Sequence, residues 1–217
     1  MKPARRSQSM ARVSQVSYLK EKVPVARALL RIYPFAAVIW APALILFAKP
    51  FAPRSVVGAA LVLVGWALAL WAAGYPDTAK PAPGNDAGGT LFAGPYGWMR
   101  NPAQLGKVFV ALGLTLWSGA LWPWLAVATA VLLVSFFTVV QHASDEEAER
   151  RRGWDYRAYR ATVPIWFPRF TRRPRLGKGR WRPAAALRGS LPLIAGAALV
   201  AVASLLGVYI DGIGRLR

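Results

Sequence analysis

The sequence predicts an all-α, polytopic membrane protein with about five transmembrane helices and a polar pocket on its cytoplasmic side. Three observations carry that prediction. Of 217 residues, 55% are hydrophobic and 12% aromatic, outside the range of soluble domains. The net charge is +19 while the mean hydropathy is positive, at +0.32, which requires charged and apolar residues to be segregated along the chain. They are segregated: the basic residues flank five apolar runs of about the length a bilayer needs.

The first run extends from Ile32 to Ala48 and the second from Val56 to Ala73. The third and fourth, Gly106–Leu121 and Trp124–Val140, form a hydrophobic hairpin with a tight turn at Leu121-Trp122-Pro123. The fifth covers Leu191–Ile210. Pro34, Pro42 and Pro192 fall in or beside these runs, where membrane helices tolerate proline. Lys107 opens the third run and is placed to snorkel to the headgroups. Residues 75–94, rich in Pro, Gly and small polar side chains, read as an irregular loop. Glu146 to about Arg160 reads as a separate helix, capped by Ser144 or Asp145 and carrying its acids in the first turn. Trp166, Phe167 and Phe170, among Arg169, Arg172 and Arg173, read as an interfacial anchor.

Eight Lys or Arg precede residue 32 and thirteen lie within Ala143–Arg188, against two in the loop after the first run and two in the tail. The positive-inside rule then places the amino terminus inside and the carboxyl terminus outside. Three sections follow: a basic cytoplasmic segment 1–30, a membrane core 31–170, and a basic linker with a final span, 171–217. The placement of the charge favours an anionic membrane surface over nucleic acid as partner. With no cysteine and only His142 as histidine, no thiolate or histidine-rich metal site is expected. No secretory signal is evident, and the location expected is a bacterial inner membrane with a cytoplasmic site. Oligomeric state stays open.

Two polar clusters flank the hairpin and return to one side of the bilayer. The first is Gly94-Pro95-Tyr96-Gly-Trp-Met-Arg100-Asn101-Pro102-Ala-Gln104-Leu105-Gly106. The second carries Asp145, Glu146, Glu147, an arginine run, Gly153, Tyr156, Tyr159, Val163-Pro164 and Pro168. Together they resemble the Gly-Pro-Tyr…Arg-His/Asn-Pro-x-Tyr-x-Gly and Glu-Glu…Gly-x-x-Tyr-x-x-Tyr…Val-Pro signatures of integral-membrane methyltransferases. Those include the isoprenylcysteine carboxyl methyltransferases and phospholipid N-methyltransferases. Asn101 stands where many members have His, and Gln104 where Tyr is usual. Counting back from Gly153, the family's acidic pair falls on Ser144 and Asp145, two residues before Glu146-Glu147.

The resemblance implies S-adenosylmethionine as cofactor and a lipid or lipidated acceptor arriving from the bilayer. It implies Arg100, Asn101 and Glu147 as catalytic residues. The cofactor-binding set is Tyr96, Arg100, Asn101, Pro102, Gln104, Gly106, His142, Asp145, Glu146, Glu147, Tyr156 and Tyr159. Such chemistry suits the residues themselves: a carboxylate for the sulfonium or amino group, an arginine for the carboxylate, aromatics around the base. Plainer readings exist for each. Arg100 can be a flanking arginine, Asn101-Pro102 a helix start, Glu146 and Glu147 partners of Arg150 and Arg151, and Tyr156 and Tyr159 interfacial belt residues. Gly113 and Gly119 serve either close helix packing or cofactor room. Two other functions compete. One is a related membrane reductase using NADPH; the other is a non-catalytic protein binding anionic lipid or a partner through its basic face.

Overall fold

The computed structural model describes residues 39–75, 93–168 and 179–214, all helix, turn or irregular connection, with no strand among them. The segment 1–30, most of the 75–94 loop, Pro34, and the 169–178 stretch with Phe170, Arg172 and Arg173 lie outside the described residues. The described part of α1 is 39–46. It is followed by α2 (Ala52–Ala73), a 3-10 turn (Gly94–Gly97), α3 (Pro102–Ser118), α4 (Trp124–Arg152), α5 (Trp154–Thr162) and α6 (Pro183–Gly214). Among the described residues three helices, α2, α4 and α6, are long and apolar enough to cross a membrane. Their large apolar side chains are turned outward, as Val57, Leu63, Val131, Leu132, Leu191 and Leu199 illustrate. A soluble fold would hide such a surface.

Helices α2 and α3 pack at backbone distance because both carry glycine every second turn. Gly58 faces Gly113 and Gly65 faces Gly106. A Cβ on Gly58 would stand 2.6 Å from the Gly113 carbonyl oxygen, and one on Gly106 2.7 Å from that of Gly65. Where lipid removes the hydrophobic drive between helices, this close approach is what holds them. Gly113 is therefore a packing residue. Gly119 ends α3 at φ 65°, in the left-handed region, with its N–H bonded to the Thr115 carbonyl. Beside the seam, Leu44, Val62, Val110, Leu114, Ala120 and Ala197 form the buried core.

Each end of the bundle is tied differently. At one end Arg54 donates to the Lys49 carbonyl (2.6 Å) and lies over the Trp122 ring, while Ser55 bonds the Trp117 carbonyl. At the other, the chain entering α6 is pinned on α2: the Arg182 N–H bonds the Gly74 carbonyl at 2.8 Å, and Trp181 packs on Gly74.

Two expectations are corrected. No helix starts at Glu146, because α4 runs unbroken from Trp124 to Arg152. Asp145 is thus an interior helix residue, with no role as a cap. The break falls at Gly153, whose φ 60° and ψ −127° only glycine adopts readily. The final helix begins at Pro183, eight residues before the expected Leu191, and carries Pro192 internally. The tight turn is present at Leu121–Pro123, with α3 ending at Ser118 and starting at Pro102.

Candidate functional site

The Gly153 break turns α5 back along the end of α4. Glu149 holds the fold, bonding Arg157 at 2.5 Å and Arg160 at 3.2 Å across the break. The reversal points one face of α5, Tyr156, Tyr159 and Val163, inward, and all three are buried. Arg157 and Trp154 occupy its outer face.

Asp145 is the centre of what this assembles. Its carboxylate is fully buried and forms an ion pair with Arg100, whose side chain is 8% exposed. Its other oxygen accepts from Gln141 Nε2 and from the Tyr156 hydroxyl, both at 2.6 Å. Three donors on one buried carboxylate offset the cost of removing it from water. Two further bonds join the clusters: the Tyr159 hydroxyl donates to the Tyr96 carbonyl at 2.9 Å, and the Arg100 N–H donates to the Pro164 carbonyl at 2.8 Å. Burial pushes the Tyr96 phenol up to about 12. Burial, then the neighbouring Tyr156 and Tyr96 phenols and the Asp145 carboxylate, pushes Tyr159 well above its ordinary value, with Arg100 opposing.

The surrounding polar atoms are not all satisfied. Among the described residues six buried side-chain atoms lack a hydrogen-bond partner, and four of them belong here: Arg100 Nε, Asn101 Nδ2, Gln104 Oε1 and Glu146 Oε2. Buried polar groups are normally paired, with protein, water or ligand, and these four have no protein partner among the described residues. Asn101, 5% exposed, precedes α3 but makes no capping bond to it. The set offers two donors and two acceptors around one ion pair.

The residues singled out in the sequence divide accordingly. Tyr96, Arg100, Asn101, Pro102, Asp145, Tyr156 and Tyr159 come together at this end and are buried there, with Gln104 and Glu146 half-buried beside them. Gly106 is committed to the α2 seam. His142 is exposed on α4. Glu147 is within α4, and its side chain is outside the described residues. Of the described anchor residues, Trp166 is partly buried and donates to the Thr138 hydroxyl at 2.9 Å, whereas Phe167 is 79% exposed. Gln141 and the Pro164 carbonyl were not anticipated. Gln141 is legible as the i−4 neighbour of Asp145 once α4 is read as continuous.

A profile of the family DUF1295, described as a protein of unknown function, matches residues 15–163. The chain belongs to the DUF1295 family. No curated protein and no solved structure matches it. The DUF1295 region contains every residue of the buried cluster except Pro164, and it ends before α6.

Proposed function

We propose that the chain is a membrane-embedded methyltransferase that uses S-adenosylmethionine and acts on a lipidic or membrane-partitioning acceptor. The supporting observation is the union of two sequence segments, 45 residues apart, around the Arg100–Asp145 pair with unpartnered buried donors and acceptors beside it. The donors, Arg100 Nε and Asn101 Nδ2, suit a carboxylate; the acceptors, Gln104 Oε1 and Glu146 Oε2, suit an ammonium. An amino-acid zwitterion presents both. When bound, the cofactor supplies an electrophilic methyl group on a sulfonium. This chain's contribution is then to orient the cofactor and exclude water, which methyl transfer requires more than it requires acid or base groups. Asp145, with both oxygens engaged by protein donors, acts as a positioning residue for Arg100 and Tyr156.

The topology that goes with this reading has five spans, α1 and α3 completing the three long helices. The amino terminus and the site are on the cytoplasmic side of a bacterial inner membrane, and the carboxyl terminus is outside. The charge distribution supports it.

A second reading, a reductase using NADPH, is favoured by the association of DUF1295 with steroid 5-alpha-reductase-like membrane proteins. Cofactor binding separates the two. In calorimetry on protein purified in detergent, S-adenosylmethionine and its demethylated product should bind and NADPH should not. Binding of NADPH alone by folded protein refutes the methyltransferase reading. Transfer of a labelled methyl group into membrane lipid would then identify the acceptor.

A further inference from the structure

Among the described residues Lys107 is a cation without a counter-charge. It is the sixth residue of α3, half-buried, and among the described residues no acid lies within ion-pairing distance of it. Its ammonium is 5.9 Å from the ring centroid of Phe137, a residue only 4% exposed. The side chain lies against α4. On α4, Phe137, Gln141 and Asp145 follow at intervals of four and share one face. Two turns of helix, about 12 Å, separate Phe137 from Asp145. Lys107 is therefore on the same α3–α4 seam as the Arg100–Asp145 pair, on its bilayer side.

Ring contact is a weak return for such a placement. A cation over a phenylalanine ring recovers only part of what removing an ammonium from water costs. In the five-span reading Lys107 is intramembrane, and such a group with no acid beside it among the described residues points to a ligand carrying the partner charge. The ligand must be anionic, and it must be amphiphilic to reach the seam from the bilayer.

We propose that Lys107 binds the carboxylate or phosphate headgroup of an amphiphile lodged in the α3–α4 seam, and that this amphiphile is the methyl acceptor. Its assignment as acceptor rests on the methyltransferase reading; its binding at Lys107 does not. A charge-assisted contact at a partly desolvated site accounts for the specificity.

The test uses the full chain in a neutral maltoside detergent, with equilibrium binding of oleate, oleyl phosphate and oleyl alcohol. Lys107→Gln should weaken both anions about ten-fold and leave the alcohol unchanged, while Lys107→Arg should retain most of the anion affinity. Equal anion binding by wild type and Lys107→Gln overturns the proposal. So does a parallel loss of alcohol binding in a variant that is folded by gel filtration. S-adenosylmethionine binding is measured on the same samples. If it is absent while oleate binding depends on Lys107, the methyltransferase reading falls and the anion site stands. If it is present while oleate ignores Lys107, the anion site falls alone.

Discussion

Replacing Asp145 by Asn should separate a structural hub from an ordinary surface acid. The carboxylate is wholly buried and holds Arg100, Gln141 and Tyr156 at once. Asn keeps the shape and one acceptor oxygen, but turns an amide toward a donor and leaves Arg100 buried without a counter-charge. Breaking a buried pair by removing one partner costs about 3–5 kcal/mol, and an orphaned donor accounts for about 1–3 kcal/mol of that. Glu149→Gln is the internal control, since Glu149 pairs with Arg157, which is 55% exposed. Exposed pairs contribute roughly 0–1 kcal/mol. Equilibrium unfolding in mixed micelles, followed by the fluorescence of the ten tryptophans, reads both. Adding Arg100→Gln to Asp145→Asn should recover part of the loss, with a coupling energy of about 0.5–3 kcal/mol. The hub is refuted if Asp145→Asn costs no more than Glu149→Gln, or if the Arg100 and Asp145 effects simply add.

Alkaline stability should depend on the buried tyrosines. Tyr96 is held at about 12 in the fold against 10.0 when unfolded, so the unfolded chain loses its proton first. Stability is fully present below pH 10 and falls as pH rises from 10 toward 12, by roughly 3 kcal/mol for a two-unit shift. Tyr96→Phe should flatten that fall while keeping the Tyr159 bond, which uses the Tyr96 backbone carbonyl; the check is unfolding against pH alongside phenolate absorbance. Gly153→Ala meets no neighbouring atom within 4 Å, so its cost is all backbone strain, roughly 1–3 kcal/mol. It should relax by swinging α5 outward, exposing Tyr156 to solvent quenchers and weakening S-adenosylmethionine binding; unchanged Tyr156 accessibility would contradict the reversal.

How far the fold was legible depends on the range of the signal used. The long apolar runs sufficed for α2, α4 and α6, because span length is set by the bilayer and recorded locally. Asn101-Pro102 was legible as a helix start, but the breaks at Gly119 and Gly153 were not: the third run expected from sequence passes through the one and the expected helix through the other. The continuity of α4 was not legible, because Ser144 and Asp145 followed by glutamates imitate a helix start. A cap signal competes poorly with a helix already propagating, since restarting forfeits backbone bonds that continuing retains. The α2–α3 seam also escaped notice. Gly58, Gly65, Gly106 and Gly113 repeat at seven residues within each helix, but opposing them requires knowing that the two helices are antiparallel neighbours.

The identity of the organising acid shows where local reading ends. Asp145, Glu146 and Glu147 are adjacent and chemically alike, so spacing alone cannot choose among them. On a continuous α4 each successive residue turns about 100° round the helix, and Asp145 is the one on the Phe137–Gln141 face that looks toward α3. That helical phase brings it to Arg100, and α5, reversed at Gly153, adds the Tyr156 hydroxyl from the other side. Glu146, one step round, keeps a buried oxygen without a partner. One helix therefore supplies two adjacent carboxylates in different states, the first engaged by Arg100, Gln141 and Tyr156 and the second with an oxygen that no described group satisfies.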